Sequence, residues 1–195
     1  MLEDGFFDKA KPVHIRGGDL PHWRQDGGLY FVTFRLSESL PQTLLKQWKR
    51  ERDGRVVDHR SLWKRSVEHR RRIERWLDLG HGSCILRNAM SKRIVSHTIR
   101  YFDGDHYELG DFAVAANHVH ALVRTALDVD LSQVLYSWKR FSSTELLKMP
   151  EVRKAFAGKR HLWQTESFDH IVRNSRNLER ISKYIRGHDQ LGQAE

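Results

Sequence analysis

The chain predicts an α+β fold, a four-stranded antiparallel sheet of the ferredoxin-like split βαβ type. Helices are inserted after its first strand, and a further helix is appended at its C-terminus. Three observations predict it. Once residues 41–79 are set aside, strand-like and helix-like apolar patterns follow one another in the order β, α, β, β, α, β. The two middle strands are only a few residues apart, the spacing of an antiparallel hairpin. Beyond the fourth strand the pattern returns to helical spacing.

Taken in order, residues 1–28 are polar and Gly-rich, with Arg16-Gly17-Gly18 and Gly27-Gly28, and read as an irregular arm. Leu29 to Leu36 is aromatic and β-branched, with a Gly pair before it and Ser-Glu-Ser after, the composition of a central strand. Pro41 opens a helix that stops before Gly54. Residues 60–78 carry Leu62, Trp63, Val67, Ile73, Trp76 and Leu77 among charges and form a second helix, ended by Gly80-His81-Gly82. These two helices are the insertion, 41–79. An amphipathic helix follows from Asn88 to Phe102. Asp103-Gly104-Asp105 turns the chain into a strand from His106 to Ala115, and Asn117 separates it from a second strand, His118 to Arg124. Leu131 to Met149 is helical, with Pro150 marking its end. Leu162-Trp163-Gln164 and Phe168 to Val172 form a strand region, and Asn177 to Ile185 is the terminal helix. No internal repeat or linker interrupts residues 1–195, so one domain is expected.

Composition narrows the function. A chain of 195 residues can fill one core. With 34 Lys plus Arg against 25 Asp plus Glu, the formal charge is +9, which draws polyanions, above all nucleic acid. Between residues 48 and 76 stand eleven Lys or Arg against five acids. That stretch is either a solvated helix face or a binding surface, and its Trp48, Trp63 and Trp76 either stack on bases or are buried by their helices. The single cysteine, Cys84, excludes an intramolecular disulfide framework and a multi-cysteine zinc module. Neither a signal peptide nor an 18-residue apolar run is present, so a cytoplasmic protein with no membrane partner is expected.

Two features carry chemistry. His118-Val119-His120 lies in a predicted strand, where residues i and i+2 project from the same face, so both imidazoles can chelate a divalent metal. Tyr184 and His188 are four residues apart on the last helix, hence one turn apart on one face. There a tyrosine is ordinarily a half-buried amphipathic residue, and a histidine a helix-ending cation. No phosphate-binding loop of the G-x-x-x-x-G-K-[ST] type occurs.

Six stretches, in this order, resemble the REP-associated tyrosine transposases, relatives of the IS200/IS605 single-strand transposases. They are Gly28 to Leu36, Asn117 to Val123, Ser137-Trp138-Lys139, Trp163-Gln164, Phe168 to Arg173 and Arg180 to Ile185. The resemblance runs from about residue 14 to 188. It implies a ferredoxin-like fold and an enzyme that nicks and joins single-stranded DNA. In this family the His-hydrophobic-His (HUH) pair, here His118 and His120, binds Mg²⁺ or Mn²⁺. A tyrosine on the late helix, here Tyr184, is the nucleophile and becomes a 5′-phosphotyrosine. Four residues later the family carries an amide that completes the metal site. This chain has His188 there, followed by Asp189, which shifts preference toward Mn²⁺.

The resemblance also implies REP-type hairpins as the DNA partner and a nucleoid-associated setting. It implies a monomer acting in cis, the insertion-sequence relatives being dimers that exchange the tyrosine helix. Arg16, Gly17 and Gly18 stand where the family has a Gly-Arg-Gly-like motif. Lys139, Lys183 and the basic stretch are candidates for DNA contacts, and Lys183 or the metal for helping Tyr184 lose its proton. Two alternatives stand beside this: a non-catalytic hairpin-binding protein that keeps the fold, and an RNA-binding sheet with exposed aromatics such as Tyr30 and Phe34.

Overall fold

Seven consecutive residues, Leu29–Arg35, form strand β3, and all but the last are buried. Such a strand needs partners on both edges and cover on both faces, and it has them. The computed structural model describes residues 2–16, 22–41, 43–44 and 72–191. A short hairpin, β1 (His14–Arg16) and β2 (His22–Arg24), precedes β3. It is followed by helix α1 (Ala89–Arg100), strands β4 (Tyr107–Val114) and β5 (His118–Thr125), and helices α2 (Leu131–Leu146) and α3 (Pro150–Ala155). Strand β6 (Phe168–Ile171) and helix α4 (Ser175–Leu191) complete the chain. The main sheet has the order β4-β5-β3-β6, antiparallel throughout. That is the split βαβ topology: the first and third of its strands lie side by side at the centre.

Alternation along β3 splits the core in two. Tyr30, Val32 and Phe34 face α1 and α2, where they meet Val95, Ile99, Val134 and Trp138. Leu29 and Phe31 face the other way and, with Ala113 and Leu122, receive Ile181 and Ile185 of α4. Tyr30 and Phe34 are thus buried, against the RNA-binding alternative. A bulge between Leu109 and Phe112 adds a residue to β4, so both side chains pack on the α1/α2 side. Asp111 of the bulge accepts both arms of Arg186, at 3.1 Å each, which ties α4 to the sheet.

Hydrogen bonds from buried aromatics fasten the helical layer. Trp138 Nε1 donates to Tyr107 Oη at 2.8 Å, and that hydroxyl donates to the Ile99 carbonyl at 2.6 Å, linking α2, β4 and α1. Asn88 caps α1 by accepting from the Met90 and Ser91 amides at 2.8 and 3.3 Å. Asn88→Ala should therefore cost about 1 kcal/mol, read as a lower urea midpoint with unchanged slope.

Four expectations are corrected. The arm 1–28 is not irregular throughout. Leu2–Gly5 is a 3-10 turn, and β1 and β2 pair in the register His14↔Arg24, Ile15↔Trp23, Arg16↔His22. Asp169 of β6 holds that hairpin, bound by Arg24 Nη1 and Nη2 at 2.6 and 2.8 Å and by His22 Nδ1 at 2.7 Å. Pro150 does not merely end α2. It starts α3, because a fixed φ and a missing N–H suit a first helical turn. Leu162-Trp163-Gln164 makes only an isolated bridge, Leu36↔Trp163, where the chain passes the end of β3. Finally, α4 begins at Ser175 and runs to Leu191, longer than its apolar spacing suggests.

Of the 41–79 insertion, residues 43–44 and 72–78 are helical. Trp48, Trp63 and most of the basic stretch lie outside the described residues, as do Gly17 and Gly18. Trp76 packs against the buried pair Leu40 and Leu77, with its ring 4.8 Å from that of His81. No helix among the described residues is long and apolar enough to cross a membrane.

Candidate functional site

Strand β5 places His118 and His120 on the face covered by α4, with Val119 pointing to the opposite core. Register supplies their neighbours: His120 lies opposite Thr33, and His118 opposite Arg35. Both imidazoles are buried, and their Nε2 atoms are 3.0 Å apart. On α4, Tyr184 and His188 stand one turn apart with ring centroids 4.5 Å from each other. The helix lowers them onto the pair. Tyr184 Oη is 3.4 Å from His120 Nε2, and the His188 ring is 4.9 Å from that of His120. Phe31 shapes the floor beneath them, stacked on His120 at 5.4 Å and edge-on to Tyr184 at 6.1 Å. The four side chains proposed from sequence thus meet within one chain.

Each histidine has its Nδ1 occupied. Asn117 Nδ2 donates to the His81 carbonyl at 2.9 Å, which turns its Oδ1 toward His118 Nδ1, 2.8 Å away. An amide oxygen only accepts, so the His118 proton sits on Nδ1 and Nε2 carries the lone pair. His188 Nδ1 donates to the Tyr184 carbonyl at 3.1 Å, and its Nε2 faces Asp78 Oδ1 at 3.0 Å. His120 Nδ1 faces the Thr33 hydroxyl at 2.8 Å. Because that hydroxyl can donate or accept, two arrangements satisfy His120. In one, His120 Nε2 donates to His118. In the other, Nδ1 donates to Thr33 and both Nε2 lone pairs converge on one point.

The second arrangement is the one a cation requires, and the residues fit it. Ligand atoms of His118, His120 and His188 lie within 4.8 Å of one another. Two donors held at right angles about 2.1 Å from an ion stand about 3 Å apart, the separation of the two Nε2 atoms. The carbonyl, hydroxyl and amide on the three Nδ1 atoms are the outer partners that orient metal-binding imidazoles.

Electrostatics favour the same state at the strand pair. Burial pushes His118 down to about 4, an effect that Asp78 opposes and His188 reinforces. Burial, with His118 and His188 adding to it, holds His120 well below the usual imidazole range. At neutral pH both rings are uncharged, so a cation does not have to displace an imidazolium proton from either. His188 differs: its hydrogen bond to Asp78, whose Oδ1 is 3.0 Å from His188 Nε2, raises it and favours the imidazolium, so a cation taken up there displaces a proton.

The other sequence candidates are scattered. Lys183 is exposed on α4 beside Tyr184. Arg16 ends β1, in a sheet separate from the one that carries His118 and His120. Lys139, the candidate for a DNA phosphate contact, donates its ammonium to the Gln164 and Thr165 carbonyls at 2.9 and 2.8 Å. Burial, with Arg35 nearby, pushes it down to about 8. These bonds hold that loop against α2. Thr33, Asn117 and Asp78 were not singled out by sequence reasoning. Asn117 sits beside the histidine pair and invites notice as an amide neighbour, but Thr33 becomes visible only through strand register and Asp78 only through tertiary packing.

A family model described as "Transposase IS200 like" matches residues 83–188, a little over half of the chain. The match ends on His188. A solved structure, that of a REP-associated tyrosine transposase bound to a REP hairpin, is similar over 87% of this chain and 70% of its own. The identity is 14% and the TM-score 0.47. A comparison with curated proteins finds no match.

Proposed function

The chain belongs to the IS200-like transposase family, and from that premise we propose that it nicks and rejoins single-stranded DNA at REP-type hairpins. In this reading Tyr184 is the nucleophile, and His118, His120 and His188 hold a divalent cation. One observation carries it: a phenol and an imidazole 64 positions apart in sequence lie 3.4 Å from each other. The hairpin substrate is supported by the six motif stretches shared with the REP-associated enzymes. The +9 charge supports a polyanionic partner.

A divalent ion held by His118, His120 and His188 would supply Lewis-acid polarisation of the scissile phosphate. An imidazole-rich donor set favours Mn²⁺ over Mg²⁺. Tyr184 Oη attacks the phosphorus in line, forming the tyrosyl O–P bond while the bond from phosphorus to the 3′ oxygen breaks. The phenol gives up its proton to solvent, and the departing oxygen ends as a 3′-OH. Lys183 adds positive charge beside the phenolate on the same helix turn. Because the phosphodiester energy is kept in the 5′-phosphotyrosine, attack by a second 3′-OH rejoins DNA and restores Tyr184 without ATP. Arg16, Gly17 and Gly18 are the proposed DNA contacts near the N-terminus. The cluster is assembled from one chain, which supports a monomer acting in cis, working where the cell's DNA is, in the cytoplasm.

The test is a single-stranded hairpin oligonucleotide, labelled at its 3′ end, incubated with the protein and Mn²⁺ or Mg²⁺. The expected products are a protein–DNA adduct stable in SDS and an unlabelled fragment ending in 3′-OH. EDTA removes both, and added Mn²⁺ restores them. Tight binding of the hairpin with neither product under any metal makes the chain a non-catalytic hairpin-binding protein.

A further inference from the structure

We propose that Asp78 is a fourth ligand of the cation site, making it a set of three imidazoles and one carboxylate. The inference rests on the metal-site reading above. It adds a residue that lies outside positions 83–188, the stretch matched by the family model. Asp78 ends the helical residues 72–78, and its carboxylate reaches the cluster from that segment rather than from β5 or α4.

The position of its Oδ1 separates a ligand from a residue that only orients a neighbour. An orienting carboxylate binds the ring nitrogen that points away from the ion. On His188 that nitrogen is Nδ1, and it is already given to the Tyr184 carbonyl. Asp78 takes Nε2 instead, at 3.0 Å, and the same oxygen lies 3.9 Å from His118 Nε2. It therefore stands between the inward-facing nitrogens of two histidines contributed by different elements. Donors about 2.1 Å from one ion are about 3 Å apart at right angles and about 4 Å apart at wider ones. Both Asp78 distances, and the 3.0 Å between His118 and His120, fall on that scale. A carboxylate also supplies the hard oxygen donor that Mn²⁺ and Mg²⁺ favour and three imidazoles lack, and it offsets one charge of the ion.

Equilibrium dialysis of the DNA-free full chain against Mn²⁺, with Co²⁺ absorption spectra in parallel, tests the assignment without any reaction. Asp78→Ala and Asp78→Asn should each weaken Mn²⁺ binding at least about tenfold and change the visible Co²⁺ spectrum. Asn keeps the volume and a hydrogen bond, so it covers the case in which Ala perturbs folding, as checked by melting in EDTA. The deciding variant is Asp78→Ala combined with His188→Ala. A ligand loses affinity again in that background, by a further tenfold or so. A residue acting only through His188 leaves the double variant equal to His188→Ala, and that equality, or wild-type binding by Asp78→Asn, overturns the proposal. His118→Ala is the control on the parent reading: if it binds Mn²⁺ like wild type, the imidazole site itself is wrong, whatever Asp78 does.

Discussion

Tyr184→Phe should abolish DNA cleavage and the covalent adduct, by at least about 10⁴-fold, while hairpin binding persists. The substitution removes one oxygen and leaves the ring. Packing of that ring on Phe31, His120 and His188 is therefore kept, and so is the seat of α4 on the sheet. The hydroxyl stands 3.4 Å from His120 Nε2, a long and weak hydrogen bond, so the melting temperature should move little. No other tyrosine can take over. Of the five in the chain, Tyr30 has its hydroxyl between the amide and carbonyl of Gln25, at 2.7 and 2.9 Å. The Tyr107 hydroxyl is fixed between Ile99 and Trp138. Tyr101 and Tyr136 are exposed on the opposite, helical layer. Cleavage by Tyr184→Phe at the wild-type rate, measured with the labelled hairpin, would remove the phenol from the mechanism.

Asp169→Ala should destabilise the fold by about 3–5 kcal/mol, the usual consequence of removing one member of a buried ion pair. The Asp169 side chain is 3% exposed and that of Arg24 10%. Alanine leaves His22 and the guanidinium without the carboxylate, and the guanidinium with only the Trp23 carbonyl at 3.2 Å, in a site that water hardly reaches. The paired change Arg24→Met with Asp169→Leu should cost less than Asp169→Ala alone, because no charge is then stranded. The same pair sets an acid limit. Burial alone would raise the Asp169 carboxyl, but hydrogen bonds from His22 and Arg24 outweigh it and hold it below the usual carboxylate range. A depressed carboxylate stabilises the fold above its unfolded pKa of about 4, and that contribution fades as pH falls through the folded value. Urea midpoints for wild type and Asp169→Ala should accordingly converge toward acid pH. A constant difference down to strong acid would show that the ion pair is not the source of the stability.

The sheet and its helices were legible because each buries apolar residues at its own period. Leu29–Arg35 is apolar on both faces because it is central, and Val95 and Ile99 recur at helical spacing because α1 covers one side. The β1–β2 hairpin was not legible. His14-Ile15-Arg16 and His22-Trp23-Arg24 show no apolar alternation toward a core, and what anchors them is a carboxylate 145 positions away from Arg24. The candidate site divides in the same way. His118 with His120, and Tyr184 with His188, are local pairs whose spacing on a strand or helix is fixed by backbone geometry. Thr33 enters through the register of β3 on β5, and Asp78 through the packing of residues 72–78 beside α4, neither of which leaves a local pattern.

Strand β5 is paired along both edges, with β4 and with β3. Backbone at such a position is released to solvent only when the whole sheet opens. The two histidines it carries are therefore as durable as the protein itself, and altering their spacing means dismantling the framework. His188 and Asp78 approach from elements laid over that framework. On the proposed reading of a cation site, retuning of ion preference falls to the two outer side chains, His188 and Asp78, while the inner pair remains a constant.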